Sequence, residues 1–535
     1  MSTPTTRYRV QQVTLSIDRD PAQHLAAAVA DAVGVARGAL DDLSVIRRTL
    51  DVRGKRPRYT YVVDFSVPDG TRLRRLEQVK PAPQAPPRQV HRLSQAARQR
   101  RVAVVGAGPG GLFAALTLAE AGLRPVLFER GKIVEERAAD VAALFSHGRV
   151  DPESNICFGE GGAGTWSDGK LTTRIDAGEA RWVLERLVEA GAPREILVEG
   201  KPHLGTDRLD GILRALRRIL QAAGVALHFQ SPVRELLCDA GRATALCTAD
   251  GQRHPFDTIV MAPGHSARDL YAALHRAGVA LAAKAFAVGL RVEHPQALIN
   301  AIQYGPFATD PRLPPADYRL AMRTPTDRAV YSFCMCPGGV VVPATTAPDA
   351  VVVNGMSDAD RSGPWANAAM VTAVDTSDFA PFGDDPLAGL RFQQDLEARA
   401  AAAGGGHTHA PAQGLLDFIA RRASTRLRPT TYRPGTTAAA LHAVLPPHLV
   451  DSLICGLQHF DRPMRGFLTQ EAVLIGVESR TSAPVRILRD PTTFASVSTP
   501  GLYPVGEGAG YAGGIVSAAV DGIKAANAIL SAMSA

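Results

Sequence analysis

The sequence predicts an α/β protein built on a parallel sheet, with a small N-terminal βαββ domain and an inserted α+β domain. Three observations carry this prediction. Residues 101–130 read as strand, glycine turn, helix and strand, and residues 502–535 repeat the strand, the glycines and the helix. Between these stretches, residues 282–476 contain short strands, many prolines and long irregular joins, which indicate a separate mixed lobe.

The first hundred residues have the pattern of a small domain. Residues 7–17 alternate as a strand does, residues 21–33 are alanine-rich as in a helix, and residues 44–53 and 59–67 are two further strand candidates. We therefore predict a small basic α/β domain over residues 1–79.

The turn after the strand at 102–105 has the features of a phosphate-binding turn. Gly106 permits the tight turn, Gly108 lets backbone N–H groups approach a pyrophosphate, and Gly111 lets the helix pack closely on the strand. The helix N-terminus then faces the phosphates with free N–H groups and its positive dipole end. Glu129 follows about 20 residues later, where a carboxylate binds ribose hydroxyls. The predicted contacts of this unit are Gly106, Ala107, Gly108, Pro109, Gly110, Gly111, Glu129 and Arg130.

Further loops are predicted to approach the same ligand. Residues 155–171 hold five glycines in a short polar stretch, which packs poorly as core and lets backbone approach a ligand. The apolar strand at 258–262 ends in Pro-Gly and returns to the nucleotide sheet, and a strand ending at 505 meets a second glycine cluster. The predicted contacts are Gly161, Gly162, Gly164, Thr165, Lys170, Pro263, Gly264, Gly506, Glu507, Gly508, Gly513, Gly514 and Ile515.

Two glycine clusters at opposite ends of the chain favour one long ligand on a single sheet. FAD fits, with its pyrophosphate on the first helix and its ribityl chain and flavin near the second. A helix N-terminus near the flavin would stabilise the negative charge of the reduced form. NAD as sole cofactor is disfavoured because simple NAD dehydrogenases do not need the second cluster.

The FAD assignment completes the predicted domain organisation. The FAD-binding domain takes residues 99–281 and 477–535, and residues 282–476 form the inserted substrate or cap domain. Residues 80–98 are rich in proline, which disrupts helix interiors and central strands, and are predicted to be the linker that follows the N-terminal domain.

Six motifs are long enough for comparison with known families: GAGPGGL at 106–112, FGEGGAGTWSDGKL at 158–171, KPHLGTD at 201–207, CMCPGGVVVPA at 334–344, VESRTSAPVRILRD at 477–490 and VGEGAGYAGGIVSAAVDG at 505–522. Together they resemble the bacterial family called uncharacterised FAD-dependent dehydrogenases over nearly the whole chain. The resemblance implies a glutathione-reductase-like, Rossmann-type FAD domain with a family-specific inserted domain. It implies FAD contacts for Gly106, Gly108, Gly111, Glu129, Gly506, Glu507 and Gly514, although many relatives have Asp where Glu507 stands.

Two departures from better-known members of this fold narrow the chemistry. Disulfide reductases place a CxxxxC pair after the first βαβ unit, whereas only Cys157 lies in that region here. They also carry a second complete GxGxxG unit for NAD(P)H, in which the glycines join a strand to a helix, and no such complete unit is found between residues 131 and 500. If NAD(P)H is the electron donor, it must reach the flavin through the inserted lobe or a shared cleft.

Other polar residues are weaker candidates for a chemical role. His203 and Lys170 are candidate catalytic residues near the flavin. Cys334 and Cys336 lie two apart on a strand and suit a metal or a redox pair, but a structural role as buried cysteines is favoured, and no metal site is predicted. Arg480 is expected to form an internal ion pair, with Glu478 two residues before it, rather than to anchor an anionic substrate.

The amino-acid composition limits the classes of protein to which this chain can belong. The 535 residues have ordinary apolar and charged fractions, no apolar run is expected to span a bilayer, and the six scattered cysteines fit a reducing compartment. A cytoplasmic location follows as an expectation. Residues 1–101 hold 19 Lys and Arg against 9 Asp and Glu, which makes nucleic acid a conceivable but disfavoured partner.

The function expected from these features is an FAD-dependent oxidoreductase that transfers a hydride through the flavin N5 atom to or from a small molecule. Two alternatives stay open. One is an FAD monooxygenase of the single-Rossmann type, and the other is a flavin-containing RNA-binding or RNA-modifying protein that uses the basic N-terminal domain. The sequence leaves the substrate, the choice of NADH or NADPH and the oligomeric state open.

Overall fold

A computed structural model describes residues 4–54, 56–74, 77–83, 91–173 and 178–534. The N-terminal part is an antiparallel sheet with strand order β2-β3-β1-β4 and one helix packed against it. Its core contains Val10, Val29, Val63 and Phe65. The predicted βαββ pattern is confirmed, with one added edge strand: β1 (Thr5–Ser16), α1 (Pro21–Val33), β2 (Asp41–Asp51), β3 (Arg58–Pro68) and β4 (Val79–Pro81).

The predicted linker at 80–98 contains more regular structure than its prolines suggest. It begins within β4, where Pro81 is tolerated because the strand lies at the sheet edge. It ends in a short helix, α2 (Gln95–Arg98), whose first turn is capped by Ser94. Residues 84–90 of this predicted linker lie outside the described residues.

Several arginines of the N-terminal domain form ion pairs. Arg48 pairs with Glu199, and its backbone also bonds to residues 198 and 200, so this contact ties the N-terminal sheet to the following domain. The other pairs lie within the domain: Arg7 with Asp42, Arg9 with Asp64, and Arg53 and Arg58 with Asp51. Five arginines of this domain therefore have carboxylate partners.

The next part supplies most of the nucleotide domain. The strand, glycine turn, helix and strand predicted at 101–130 are confirmed, as are the helices, the hairpin and the returning strand after them. The elements are β5 (Val102–Val105), α3 (Pro109–Glu120), β6 (Val126–Phe128), α4 (Val134–His147), α5 (Gly178–Glu189), α6 (Thr206–Ala222), β7 (Ala226–His228), β8 (Val233–Asp239), β9 (Arg242–Thr248), β10 (Arg253–Pro255), β11 (Thr258–Met261), α7 (Arg268–Arg276) and β12 (Leu281–Ala283).

The lobe that follows is a seven-stranded mixed sheet with helices, in the order β14-β15-β18-β13-β21-β19-β20. Its elements are β13 (Phe286–Pro295), α8 (Gln296–Tyr304), β14 (Ala321–Arg323), β15 (Ala329–Cys336), β16 (Val340–Pro343), β17 (Val353–Met356), β18 (Trp365–Val374), α9 (Thr376–Phe379), α10 (Ala388–Gly404), β19 (Ala410–Gly414), α11 (Leu415–Ile419), β20 (Thr436–Ala438), α12 (Leu441–Val444), α13 (Pro447–Phe460) and β21 (Val473–Glu478).

The last elements return to the nucleotide domain: β22 (Val485–Ile487), β23 (Leu502–Pro504) and α14 (Ile515–Ser534). Strand β22 pairs with β12, and β23 pairs in parallel with β11. The central sheet is therefore parallel throughout, in the order β23-β11-β5-β6-β7. Both ends of the nucleotide domain contribute to this one sheet.

Helices α3 and α14 pack so closely that their backbones are in contact. A Cβ on Gly522 would lie 2.0 Å from the carbonyl oxygen of Gly110, so only glycine fits there. Among the described residues α14 alone is long and apolar enough to cross a membrane by length and composition, and 61% of its apolar stretch is buried inside the molecule. Burial within the core accounts for this apolar composition.

The two helical glycines Gly522 and Gly211 should respond to alanine with opposite signs. Gly522→Ala should lower the free energy of unfolding by about 1–3 kcal/mol, because its methyl group overpacks the helix contact. Gly211→Ala should raise that free energy by about 0.5–1 kcal/mol, since Gly211 is exposed within α6 and a Cβ there meets nothing within 4 Å. Urea denaturation checks both, and equal effects would contradict the proposed contact.

Candidate cofactor and active site

A cavity of about 350 Å³ opens at the carboxyl ends of the central strands, where α/β sheets bind ligands. Val105, Phe128, Ala262 and Val505, which end or directly follow β5, β6, β11 and β23, all line it. Most of the predicted contact residues also line it: Gly106, Gly108, Pro109, Gly110, Glu129, Arg130, Gly162, Gly164, Lys170, Pro263, Gly264, Gly506, Glu507, Gly513, Gly514 and Ile515.

Five predicted contact residues lie behind this wall and support it. Gly111 packs on the carbonyl of Gly106, and Gly508 packs on the backbone of Gly264. The backbone N–H of Gly161 donates to the carbonyl of Ala107 at 2.9 Å. The hydroxyl of Thr165 donates to carbonyl oxygens of its own loop.

Two helix N-termini meet at the cavity. Gly108, Pro109 and Gly110 begin α3, and no side chain caps that end. Gly514 and Ile515 bring the start of α14 to the same cavity. Uncapped N–H groups and the positive ends of two helix dipoles favour negative charge. The cavity therefore suits a ligand with an anionic group at each of two points.

The glycines of the first turn divide into two kinds. A Cβ on Gly106 would lie 2.1 Å from the carbonyl oxygen of Ala262, and one on Gly111 would lie 1.9 Å from that of Gly106, so the fold itself requires both. Gly108 has an ordinary φ of −75°, and a Cβ there meets nothing within 4 Å. Because Gly108 lines the cavity, the space beside it fits a closely approaching ligand such as the pyrophosphate of FAD.

Glu129 is buried at the end of β6 and holds three backbone segments together. Its Oε2 accepts the N–H of Ala107 at 2.8 Å, and its Oε1 accepts those of Gly131 and Gly159 at 2.9 Å each. A carboxylate offers about four acceptor positions, so one remains on Oε2. The ribose contact predicted for Glu129 is therefore compatible with its structural role.

The glycine loop at 155–165 is shaped by a fully buried arginine in α4. The guanidinium of Arg137 donates to the carbonyl oxygens of Asn155, Ile156, Glu160 and Gly162 over 2.6–3.0 Å. Burial lowers its pKa to about 10, and it remains charged at neutral pH. This arginine satisfies loop carbonyls that glycines alone would leave unpaired.

Arg130, which directly follows Glu129, forms ion pairs. Its guanidinium lies 2.8 Å from Glu153 and 2.9 Å from Asp269, and it stacks over the ring of Phe158. Arg234 contacts the same two carboxylates. Arg130 therefore acts in the cavity wall as part of a charge-balanced network.

Lys170 lies at the lobe side of the cavity, beside a buried carboxylate. Its ammonium is 2.9 Å from Asp168, which also receives bonds from Arg361 and Ser357 of the lobe. Burial lowers the pKa of Lys170, but the thiols of Cys336 and Cys334 and the Asp168 carboxylate outweigh it, so the net pKa is raised. A lasting positive charge thus faces the cavity, where the prediction places the flavin.

His203 lies outside the residues that line the cavity. Its Nε2 donates to the carbonyl oxygen of Ala359 at 3.0 Å, and burial lowers its pKa. His203 is therefore hydrogen-bonded to the backbone outside the cavity lining, and its suggested catalytic role stays a prediction.

His265 is a cavity residue that the sequence reasoning missed. It follows Pro263 and Gly264 at the carboxyl end of β11, and its Nδ1 lies 2.8 Å from the hydroxyl of Ser266. Burial and the nearby charges of Arg480 and Arg268 lower its pKa to about 4. Its place directly after the Pro-Gly turn was the available signal, because ligands gather at the ends of such strands.

Arg480 forms the expected internal ion pair, but the predicted neighbour Glu478 is not its partner. Arg480 binds Glu397 of α10 with two nitrogens, at 2.9 and 2.7 Å, and Arg268 of α7 binds the same carboxylate at 2.6 Å. Glu478 instead pairs with the buried Arg291 at 2.7 Å. Glu478 ends β21 and Arg480 lies beyond the strand, so the two side chains have different surroundings and the packing of the lobe decides their partners.

Glu507 presents a carboxyl group to the cavity. None of the described residues is found to donate a hydrogen bond to that group, and its pKa is raised to about 7 by burial, which Lys284 partly offsets. A carboxyl group without a protein hydrogen bond at this point is available to a ligand hydroxyl. The ribityl contact predicted for Glu507 therefore has an acceptor in place.

Comparison with known proteins identifies the family. A protein of Clostridium beijerinckii described as uncharacterized is 40% identical over 529 residues, which are 98% of this chain and 98% of that protein. The chain belongs to the same family. Residues 285–481, most of the lobe, match the family model "FAD-dependent protein, C-terminal domain-like". FAD is the cofactor of this protein, as the two glycine clusters predict.

Three solved structures are similar to this chain at low sequence identity. The flavin-dependent brominase Bmp2 triple mutant is 13% identical, with 81% of this chain and 80% of that chain covered and a TM-score of 0.36. A geranylgeranyl bacteriochlorophyll reductase-like protein of Thermoplasma acidophilum is 13% identical, with 81% and 78% covered and a TM-score of 0.35. CtdE in complex with FAD is 13% identical, with 81% and 84% covered and a TM-score of 0.32.

Gly108→Ala should weaken FAD binding without harming the fold. Its methyl group would occupy the space beside the α3 N-terminus, so the dissociation constant for FAD should rise at least about tenfold, or ~1.4 kcal/mol. The free energy of unfolding of the apoprotein should change by less than about 0.5 kcal/mol. Gly38→Ala is the matched control, since its Cβ also meets nothing and it lies outside the cavity lining. Unchanged FAD affinity in Gly108→Ala would contradict the assignment.

Glu397→Gln should destabilise the protein by about 3–5 kcal/mol at pH 7, because two buried arginines lose their carboxylate. Burial raises the pKa of Glu397, but Arg480 and Arg268 outweigh it and hold the pKa below its usual 4.5. A lowered carboxyl pKa stabilises the fold above pH 4.5 and loses that effect as the pH falls below it.

The difference in free energy of unfolding between wild type and Glu397→Gln should therefore shrink in acid. Urea denaturation at pH 7 and pH 4 measures it, with the exposed Glu195→Gln as control. A difference that is small at pH 7, or that grows in acid, would refute the role given to Glu397.

Proposed function

We propose that the protein is an FAD-dependent oxidoreductase that transfers a hydride through the flavin N5 atom, with a small molecule as substrate. The convergence of two helix N-termini on one cavity supports this proposal above all. NADH or NADPH is the proposed electron donor. The scattered cysteines, all free in the structure, support a place in the cytoplasm.

The cavity residues have distinct proposed tasks. Bound FAD supplies the hydride-transferring centre. Gly108 and the start of α3 hold the pyrophosphate, the free acceptor position of Glu129 binds a ribose hydroxyl, and Glu507 binds a ribityl hydroxyl. The N-terminus of α14 and the ammonium of Lys170 provide positive potential for the negative charge of reduced flavin.

The lobe side of the cavity is the proposed substrate side. Phe333, Cys334 and Asn354 of the lobe line the same cavity as the FAD-binding turns, so a substrate held by the lobe would lie beside the flavin. His265 is neutral at pH 7 because its pKa is lowered to about 4, so it would bind a substrate by hydrogen bonds without adding charge. The same side offers NAD(P)H an approach that needs no second dinucleotide unit.

Anaerobic reduction tests this function directly. The purified protein should release FAD on denaturation, and NADH or NADPH added without oxygen should bleach the oxidised-flavin absorption. A colourless protein that cannot be reconstituted with FAD would overturn the proposal. Rapid NAD(P)H oxidation that requires both oxygen and a small-molecule substrate would instead identify the single-Rossmann monooxygenase.

A further inference from the structure

Cys334 and Cys336 occupy a distorted strand end in the wall of the FAD cavity. The register of β15 against β18 shifts between Phe333 and Cys336, which marks a β-bulge, and Cys334 has a φ of +45°. Bulges re-aim side chains and occur beside active sites. Cys334 lines the cavity and Cys336 is fully buried behind it. Cys334 is therefore only partly buried, where burial was expected for both cysteines.

The two thiols share a positively charged environment. The ammonium of Lys170 lies 3.9 Å from the sulfur of Cys336, and the Cys336 thiol donates to the carbonyl oxygen of Cys334 at 3.3 Å. A hydrogen bond from Cys336, followed by the charges of Lys170 and Arg291, lowers the pKa of Cys334, whereas the pKa of Cys336 is raised. The pKa of Cys334 is thus lower than that of Cys336, and such a difference favours thiol exchange.

The geometry points to Cys334 and Cys336 as a redox-active dithiol that exchanges two electrons with the flavin. This inference rests on the proposed function, because it places the flavin in the same cavity. In the oxidising direction the two thiols lose two electrons and two protons, one S–S bond forms, and FAD becomes FADH₂. In the reducing direction FADH₂ returns the electrons and protons, and the S–S bond breaks.

The backbone allows this bond. In a fully extended chain, the Cα atoms of residues two positions apart are separated by about 7 Å at most. Disulfides bridge Cα separations up to about 6.8 Å. Because both cysteines lie in β15, where a strand rises about 3.3 Å per residue, their Cα atoms are about 6.6 Å apart, which is within that limit. A metal is the less suitable occupant, since the described residues hold no group of three or more His, Cys, Asp or Glu side chains that could bind one.

The remaining cysteines provide controls. Cys157 lines the same cavity, but its thiol donates to the carbonyl oxygen of Ala344 at 3.5 Å. Cys455 lies in α13, outside the residues that line the cavity. Cys455→Ser is therefore expected to leave the redox behaviour unchanged.

Anaerobic titration of the holoenzyme with dithionite tests the pair by counting electrons. The wild type, air-oxidised beforehand, should take up two equivalents of dithionite per flavin, whereas Cys334→Ser and Cys336→Ser should take up one. Cys455→Ser and Cys157→Ser should take up two. Uptake of one equivalent by the wild type would overturn the dithiol while leaving the flavin function intact, since flavin bleaching is recorded in the same titration.

Alkylation of the wild type gives a readout that needs no variant. In the oxidised holoenzyme, denatured with iodoacetamide and analysed by peptide mass spectrometry, Cys334 and Cys336 should be unlabelled and joined, and they should label only after reduction. Full labelling of both in the oxidised protein, or a disulfide from Cys334 to Cys157, would overturn the pair. A protein that cannot be loaded with FAD would overturn the proposed function, and this inference with it.

Discussion

The nucleotide domain depends on backbone surfaces that approach without intervening side chains. Gly111 rests on the carbonyl of Gly106, and Gly522 of α14 rests on that of Gly110, both closer than any Cβ permits. The second contact joins parts of the chain about four hundred residues apart and brings two helix N-termini to one cavity. Because these glycines have no side chains, the helices pack closely. The positive ends of both helix dipoles therefore lie at the same cavity.

Buried ion pairs connect the lobe to the nucleotide domain. Glu397 of the lobe lies between Arg268 of α7 and Arg480, and Asp168 of the glycine loop lies beside Arg361 of the lobe. Burying such pairs is costly in desolvation, so they contribute less to net stability than to the choice of one docking geometry. That geometry decides which lobe residues reach the cavity.

Much of the nucleotide domain was predictable because its determinants are local. The strand, the turn and the helix at Val102–Val105 and Pro109–Glu120 follow from apolar runs and glycines, and FAD followed from the second cluster. The tertiary partners were not predictable in the same way. The partner of Arg480 proved to be Glu397 rather than Glu478, and His265 was missed although it directly follows the Pro-Gly turn.

The sequence by itself determined the parallel sheet, its two glycine turns and the choice of FAD, because spacing and residue type within short stretches set the backbone conformation there. Only the tertiary structure decided which glycines line the cavity, that Glu129 also accepts backbone hydrogen bonds, and that Cys334 lines the cavity while Cys336 is buried. These features depend on contacts between distant segments and on a bulge in β15, and residue order does not encode either in a local pattern.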